Sequence, residues 1–87
     1  MTGKQVVTDF LIQKQNQTID YLTLEKELKT YAEKQGKYYR VDSLQRYFRW
    51  VVEEKLLTTY NLEIVEVKGK YKTWMVQSIY PLFAELK

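Results

Sequence analysis

The chain has 87 residues, of which 45% are hydrophobic and 29% charged, and this favours one small folded domain with a single core. It contains no cysteine and no histidine, which excludes disulfides and removes the usual ligands of structural zinc and the commonest general base. We therefore expect no metal, no cofactor and no enzymatic activity. The formal net charge of +3 is mild, so its distribution along the chain matters more than its size.

The sequence also bears on location. No apolar run approaches the roughly 18 residues that a membrane-spanning helix needs. The polar stretch at residues 1–5 is unlike a secretory signal, and a chain without cysteine suits a reducing compartment. We therefore expect a cytoplasmic protein that does not associate with membranes.

A first helix is predicted at residues 4–16, where apolar side chains recur at the spacing of one helical face. These side chains are Val6, Val7, Phe10 and Leu11. The polar residues 16–18 are typical of a break in the helix. Residues 19–22 then predict a minor strand.

A second helix follows, and Thr23 is its predicted N-cap because a hydroxyl at that position accepts a free backbone N–H of the first turn. Glu25 then falls in the first turn, where a carboxylate favours the positive end of the helix dipole. Gly36 suits the left-handed residue that ends such a helix. The predicted buried stripe comprises Leu24, Leu28, Tyr31 and Ala32.

A third helix is predicted at about residues 42–55, after a turn at residues 36–41 that is rich in tyrosine and basic side chains. Asp42 is its predicted N-cap, and Gln45 stands three residues later, at the spacing of a capping box. Its predicted buried face comprises Leu44, Phe48, Val51 and Val52. Its predicted outer face comprises Arg46, Arg49, Trp50 and Glu53.

Beyond residue 59 the spacing of the apolar residues changes from that of a helix to that of β-strands. Residues 62–67 and 71–79 are β-prone runs, and Lys68, Gly69 and Lys70 between them predict the turn of a β-hairpin. A short C-terminal segment follows at residues 80–87. The whole pattern predicts an α+β domain that is mainly helical.

This order of elements resembles the winged helix-turn-helix family over about residues 4–79. The stretch at residues 43–57, SLQRYFRWVVEEKLL, is similar to the family's third helix, which often has Ser, Arg, two apolar core positions, acids and then Gly-Leu-Ile. Phe48 and Val51 match the core pair. Lys55 stands where the family commonly has glycine, so we expect a different exit from the helix.

The resemblance implies one winged-helix domain over residues 1–87, with a core at residues 4–79 and a C-terminal tail at residues 80–87. The core is three helices followed by a β-hairpin, the wing. It also implies double-stranded DNA binding, with the recognition helix at about residues 42–55 in the major groove and a basic wing on the DNA backbone. A small transcriptional regulator is the role we expect.

Charge is concentrated in the two places that face DNA in a winged helix. Residues 37–50 carry a net charge of +3, and residues 68–72 carry another +3, whereas the rest of the chain has a net charge of −3. Basic side chains near phosphates release condensed counterions, which supplies affinity that falls as salt rises. The charge pattern therefore favours the same two DNA-facing segments as the resemblance.

The candidate residues sort by the part of the DNA they suit. Arginine can pair with guanine and glutamine with adenine in the major groove, so the candidates for base readout are Ser43, Gln45, Arg46, Tyr47 and Arg49. The candidates for backbone phosphates are Lys37, Tyr39, Arg40, Lys68, Lys70 and Lys72. One short helix reads few base pairs, so a homodimer is expected, with contact candidates Trp50, Leu82, Phe83 and Leu86.

Each signal also has a plainer interpretation. Arg49 and Glu53 have the spacing of a solvent-exposed ion pair on a helix. Arg46 has the spacing to stack along Trp50, or Trp50 can lie under the hairpin. The hairpin lysines are also typical of edge strands that resist aggregation.

Two other functions stay open at this point. The first alternative is a winged-helix adaptor that binds a protein partner and no DNA, with Trp50, Tyr38 and Tyr39 as anchors. The second is binding of RNA or single-stranded nucleic acid, with tyrosines as stacking platforms.

Overall fold

The computed structural model describes residues 2–79 of the chain. Three helices and three strands occur in this part, which confirms the predicted α+β class. The elements are α1 (Gly3–Gln13), β1 (Thr18–Asp20), α2 (Tyr21–Lys34), α3 (Val41–Glu53), a 3-10 turn (Leu56–Tyr60), β2 (Leu62–Glu66) and β3 (Thr73–Ser78). The tail at residues 80–87, with the interface candidates Leu82, Phe83 and Leu86, lies outside the described residues.

The three strands form one antiparallel sheet in the order β1-β3-β2. β3 is therefore the central strand, with Ile19 of β1 opposite Trp74 and Ile64 of β2 opposite Val76. These four residues lie on one face of the sheet because alternate residues of a strand point the same way. Ile19 and Val76 are buried, so this face is the one that covers the core.

The core draws on every element of the described chain. The apolar stripes predicted for the three helices are buried except for Tyr31 and Val52, which are half-buried, and side chains from the sheet and the 3-10 turn complete the cluster. Its members are Val7, Phe10, Leu11, Ile19, Leu24, Leu28, Leu44, Phe48, Val51, Leu57, Leu62 and Val76. No helix among residues 2–79 is long and apolar enough to cross a bilayer.

The N-terminus of α2 lies earlier than predicted. Asp20, not Thr23, is the N-cap: its Oδ1 accepts the backbone N–H of Thr23 at 2.9 Å and its Oδ2 accepts the Thr23 hydroxyl at 3.0 Å. The carboxylate is the better acceptor, and pairing with Thr73 of β3 holds Asp20 in the extended conformation of a cap. Because α2 begins at Tyr21, Glu25 lies beyond its first turn.

The predicted capping box of α3 is wrong. Arg40 is the N-cap and its side chain makes no capping hydrogen bond, whereas Asp42 is already inside the helix. The Asp42 Oδ1 accepts the backbone N–H of Ser43 at 3.0 Å and lies 3.3 Å from Arg40 Nε. A capping box occurs instead at α1, between Thr2 and Gln5.

The C-terminus of α2 confirms the role predicted for Gly36. Its φ is +77°, and its N–H donates to the carbonyl of Glu33 at 2.9 Å. The N–H of Lys37 donates to the carbonyl of Ala32, also at 2.9 Å, which completes a Schellman motif. This motif fixes the direction in which the chain leaves α2 toward α3.

Residues with a left-handed backbone conformation follow the end of α3 and occur in the hairpin turn. Lys55 has a φ of +53°, so the exit uses a backbone conformation that glycine would adopt more easily. Gly69 has the predicted positive φ, but Lys72 is also left-handed, at +45°. The hairpin turn is thus longer than predicted, and β3 begins at Thr73.

Gly36→Ala should destabilise the fold by about 1–2 kcal/mol, because a Cβ is unfavourable in the left-handed region. No atom lies within 4 Å of the added Cβ, so the expected loss is conformational and not steric. Gly36→Asn should lose less, since asparagine tolerates this conformation. Urea unfolding measures the difference. Gln35→Ala, at a φ of −89°, is the control, and equal loss in both alanine variants would contradict the explanation.

Asp20 should make stability depend on pH. The backbone N–H of Thr23, and then its hydroxyl, lower the pKa of the Asp20 carboxyl below its ordinary value by favouring the ionised form. The stabilisation is therefore complete above the ordinary aspartate pKa and is lost as the pH falls through the lowered pKa of the folded protein.

Asn caps a helix without titrating, so Asp20→Asn isolates this charge. Unfolding free energies measured at neutral and acidic pH should show the wild type losing stability relative to Asp20→Asn on acidification. Parallel curves for the two proteins would show that the charge of Asp20 contributes nothing. Asp20→Ala, which lacks the cap altogether, should be less stable than both at neutral pH.

Candidate nucleic-acid interface

An open groove of about 510 Å³ lies between α3 and the start of β3, and we call it the α3–hairpin groove. Its buried and half-buried lining comprises Tyr21, Gln45, Phe48, Val52 and Trp74. Its exposed lining comprises Asp42, Arg46, Arg49, Glu53 and Lys72. The groove thus has a largely apolar base and a charged rim.

The apolar base is built from aromatic side chains of three elements. The Trp74 ring of β3 lies 5.2 Å from the Phe48 ring of α3 and 6.2 Å from the Tyr21 ring of α2, both in edge-to-face geometry. Such pairs contribute about 0.5–1.5 kcal/mol each beyond the burial of area. They hold the sheet and α3 at a fixed separation, and this separation defines the groove.

The rim of α3 follows from helical spacing. Asp42, Arg46, Arg49 and Glu53 are three or four residues apart and share one face. Leu44, Phe48 and Val51 are buried on the opposite side of the helix. The two exposed arginines therefore project away from the core and along the groove.

Lys72 brings the hairpin to the same groove. Its Nζ lies 4.7 Å from the centre of the Tyr21 ring and 5.5 Å from that of Tyr71, both cation–π distances. The next residue, Thr73, pairs with Asp20 at the end of β1. The sheet thus places a hairpin lysine and the α3 arginines in one groove, although they are distant in sequence.

The α3 arginines are free of acidic partners in the described chain. Three ion pairs occur among residues 2–79, and none involves Arg46, Arg49 or Glu53. The plainer interpretation of Arg49 as the partner of Glu53 is therefore not supported. Two exposed guanidinium groups remain available to an anionic ligand.

The base-readout candidates fall into two groups. Gln45, Arg46 and Arg49 line the groove. Tyr47 does not: its ring lies 5.4 Å from the Tyr39 ring and covers Gly3 of α1 so closely that an added Cβ there would collide with it. Ser43, four residues before Tyr47, shares that side of α3. The structure brings together three of the five candidates.

The backbone candidates are similarly divided. Lys68 and Lys70 are exposed on the hairpin turn, next to the groove residue Lys72. Arg40 is exposed and lies against Asp42, whereas Lys37 is half-buried. The sixth candidate, Tyr39, packs against Tyr47 and the core.

Trp50 lies on the side of α3 that faces α1. The Nζ of Lys4 is 5.1 Å from the centre of its ring and 3.0 Å from the carboxylate of Glu54. The interpretation that Trp50 packs under the hairpin is therefore wrong. The tryptophan that joins the hairpin to α3 is Trp74 of β3, whose ring packs against Phe48. The cation over the Trp50 ring is Lys4, which leaves Arg46 free for the groove.

One contact of the groove, between Gln45 and Glu25, is not predicted by the sequence. The Nε2 of Gln45 donates to the Oε1 of Glu25 across the α2–α3 contact at 2.9 Å. From the sequence, Glu25 is predicted to interact with the dipole of the second helix. Gln45 is predicted to form a capping box with Asp42. No local pattern pairs the two residues, because they lie on different helices.

The groove offers guanidinium, ammonium, amide and aromatic groups. No group of three or more acidic side chains among residues 2–79 is placed to hold a metal ion. Comparisons with protein-family models, curated proteins and solved structures gave no match to this chain. Its function is therefore inferred from the side chains that the fold brings together.

Proposed function

We propose that the protein binds double-stranded DNA, with residues 43–49 of α3 in the major groove and the β2–β3 hairpin along the backbone. The observation that carries the proposal is the meeting of Arg46, Arg49 and Lys72 on the rim of one open groove. The sequence predicts these two basic clusters separately. Their common position brings basic side chains of two segments distant in sequence to one rim, which also carries Asp42 and Glu53.

The architecture supports a winged-helix arrangement. The order of helix, strand, helix, helix and β-hairpin is the one that the resemblance implies. In such a domain α3 is the recognition helix and the β2–β3 hairpin is the wing. The exposed lysines at residues 68, 70 and 72 then stand on the wing, beside the helix that reads the bases.

The side chains suit the two parts of a duplex. An exposed arginine without an acidic partner can donate two hydrogen bonds to guanine O6 and N7. Lys68 and Lys70, exposed on a turn, suit phosphates, where they supply affinity without sequence preference. We assign Arg46 and Arg49 to base readout and the wing lysines to the DNA backbone.

Acidic residues limit how α3 can approach DNA. Glu53 lies at the end of the helix on the rim of the groove, where it would meet DNA phosphates if α3 entered the major groove along its full length. The contact is therefore restricted to the first turns of α3. So short a contact reads few base pairs, which favours a transcriptional regulator that binds as a homodimer.

Arg46→Ala combined with Arg49→Ala should remove most of the sequence preference. Selection from a random duplex pool at two salt concentrations should give the wild type an enriched motif whose affinity falls with salt. The double variant should bind that motif at least about tenfold more weakly, since one bidentate arginine–guanine pair contributes about 1–3 kcal/mol. Both side chains are exposed, so unfolding free energies should change little.

A matched control is Lys26→Ala combined with Lys34→Ala. It also removes two positive charges, but from a groove between α1 and α2. This control should keep the motif, with at most a uniform loss of affinity. Failure of the wild type to bind any duplex at low salt would contradict DNA binding and favour the adaptor function. Binding to single strands alone would favour the third function.

A further inference from the structure

We infer that Glu25 sets the base preference of Gln45 by fixing the orientation of its side-chain amide. Glu25 is then a positioning residue for DNA readout, on a helix that need not touch the bases. The inference rests on the proposed DNA-binding function. It adds to that function a discrimination between two classes of base.

The contact lies at the edge of the α3–hairpin groove. Gln45 is half-buried and lines the groove together with Arg46 and Arg49. Its Nε2 donates to the Oε1 of Glu25, which is also half-buried, at 2.9 Å. The hydrogen bond joins α2 to α3, so the packing of two helices holds both ends.

The chemistry of the two groups determines the orientation. An ionised carboxylate only accepts hydrogen bonds, whereas a glutamine amide has a donating nitrogen and an accepting oxygen. The nitrogen must therefore face Glu25, because the reverse orientation would place two acceptors against each other. A hydrogen bond to a charged partner is also stronger than one between neutral groups.

The orientation leaves the Oε1 of Gln45 directed away from Glu25. This oxygen accepts no hydrogen bond within residues 2–79, and no buried side-chain polar atom in that range lacks a partner. The Oε1 is therefore not buried, and the residue that carries it lines the groove. Gln45 presents a fixed acceptor to a ligand there.

A fixed acceptor divides the bases into two classes. In the major groove adenine and cytosine carry exocyclic amino groups, which donate, whereas guanine and thymine carry carbonyl oxygens, which accept. The Oε1 of Gln45 would pair with an amino group and oppose a carbonyl. Gln45 held by Glu25 therefore prefers adenine or cytosine, and a freely rotating glutamine would accept either class.

Glu25→Gln is the sharpest variant because it keeps the size of the side chain. An amide at residue 25 can donate or accept, so it holds Gln45 in either orientation. It also removes a negative charge close to the proposed DNA surface. We expect Glu25→Gln to bind DNA at least as tightly as the wild type while losing preference at one position of the motif.

The test is selection from a random duplex pool with four proteins: wild type, Glu25→Gln, Gln45→Ala and the double variant. At the position that Gln45→Ala affects, the wild type should favour amino-bearing bases at least about fivefold, the ratio expected from about 1 kcal/mol. In Glu25→Gln this ratio should fall to within about twofold. The double variant should match Gln45→Ala, because both changes act through one side chain.

Glu27→Gln is the matched control. It removes the same charge from the same helix, but Glu27 is paired with Lys14 of α1, away from the groove. The wild-type motif should persist unchanged in this variant. Loss of preference at the same position in Glu27→Gln would overturn the inference, since it would point to a general effect of charge.

The outcomes separate the two proposals. If the wild type enriches no duplex, DNA binding itself is overturned, and the inference with it. If a motif is enriched but Glu25→Gln keeps the preference at the position of Gln45, or Gln45→Ala alters no position, only the inference is overturned. In the free protein, the Gln45 side-chain amide resonances should shift in Glu25→Gln, and unchanged resonances would overturn the inference without DNA.

Discussion

The antiparallel pairing of β3 with β1 places Lys72 of the hairpin beside α2 and in the α3–hairpin groove. Asp20 sits opposite Thr73 and is also the N-cap of α2, so one residue joins the end of the sheet to the start of a helix. Lys72 directly precedes Thr73, and the pairing carries it against Tyr21, the first residue of α2. Together with the contact between the Trp74 and Phe48 rings, this pairing holds the hairpin against the helices.

α3 divides the molecule into two surfaces of different character. On one side Arg46 and Arg49 line an open groove. On the other, the rings of Tyr47 and Trp50 lie 5.9 Å apart, and Lys4 of α1 is held against the indole. The absence of a side chain at Gly3 lets α1 approach the Tyr47 ring. The surface that carries Arg46 and Arg49 is the one on which we propose DNA binding.

Much of the fold is predictable from the sequence because its signals are local. Helical spacing identifies the buried stripes of all three helices, and Gly36 marks the end of α2 through a backbone conformation that glycine adopts more easily than other residues. The choice between Asp20 and Thr23 as a cap is not local. It depends on a strand partner more than fifty residues away along the chain.

The candidate site is less predictable than the fold because its residues are brought together by contacts between elements that are distant in sequence. The two basic segments are visible in the sequence, but which side of α3 faces the hairpin depends on tertiary packing. Helix geometry directs Arg46 and Tyr47 to different sides of α3. Tertiary packing then decides that Arg46 faces the groove and Tyr47 faces Tyr39. The contact between Glu25 and Gln45 joins two helices and has no sequence signature.

DNA binding through the α3–hairpin groove is tested most directly by a chemical-shift titration of the labelled protein with a duplex carrying its selected motif. We predict that the backbone amides of residues 68–72 and the side-chain resonances of Arg46 and Arg49 shift together. Residues 26–34 of α2, on the groove shared with α1, should stay unchanged. Shifts confined to that part of α2, or to the surface around Lys4 and Trp50, would contradict binding through the α3–hairpin groove.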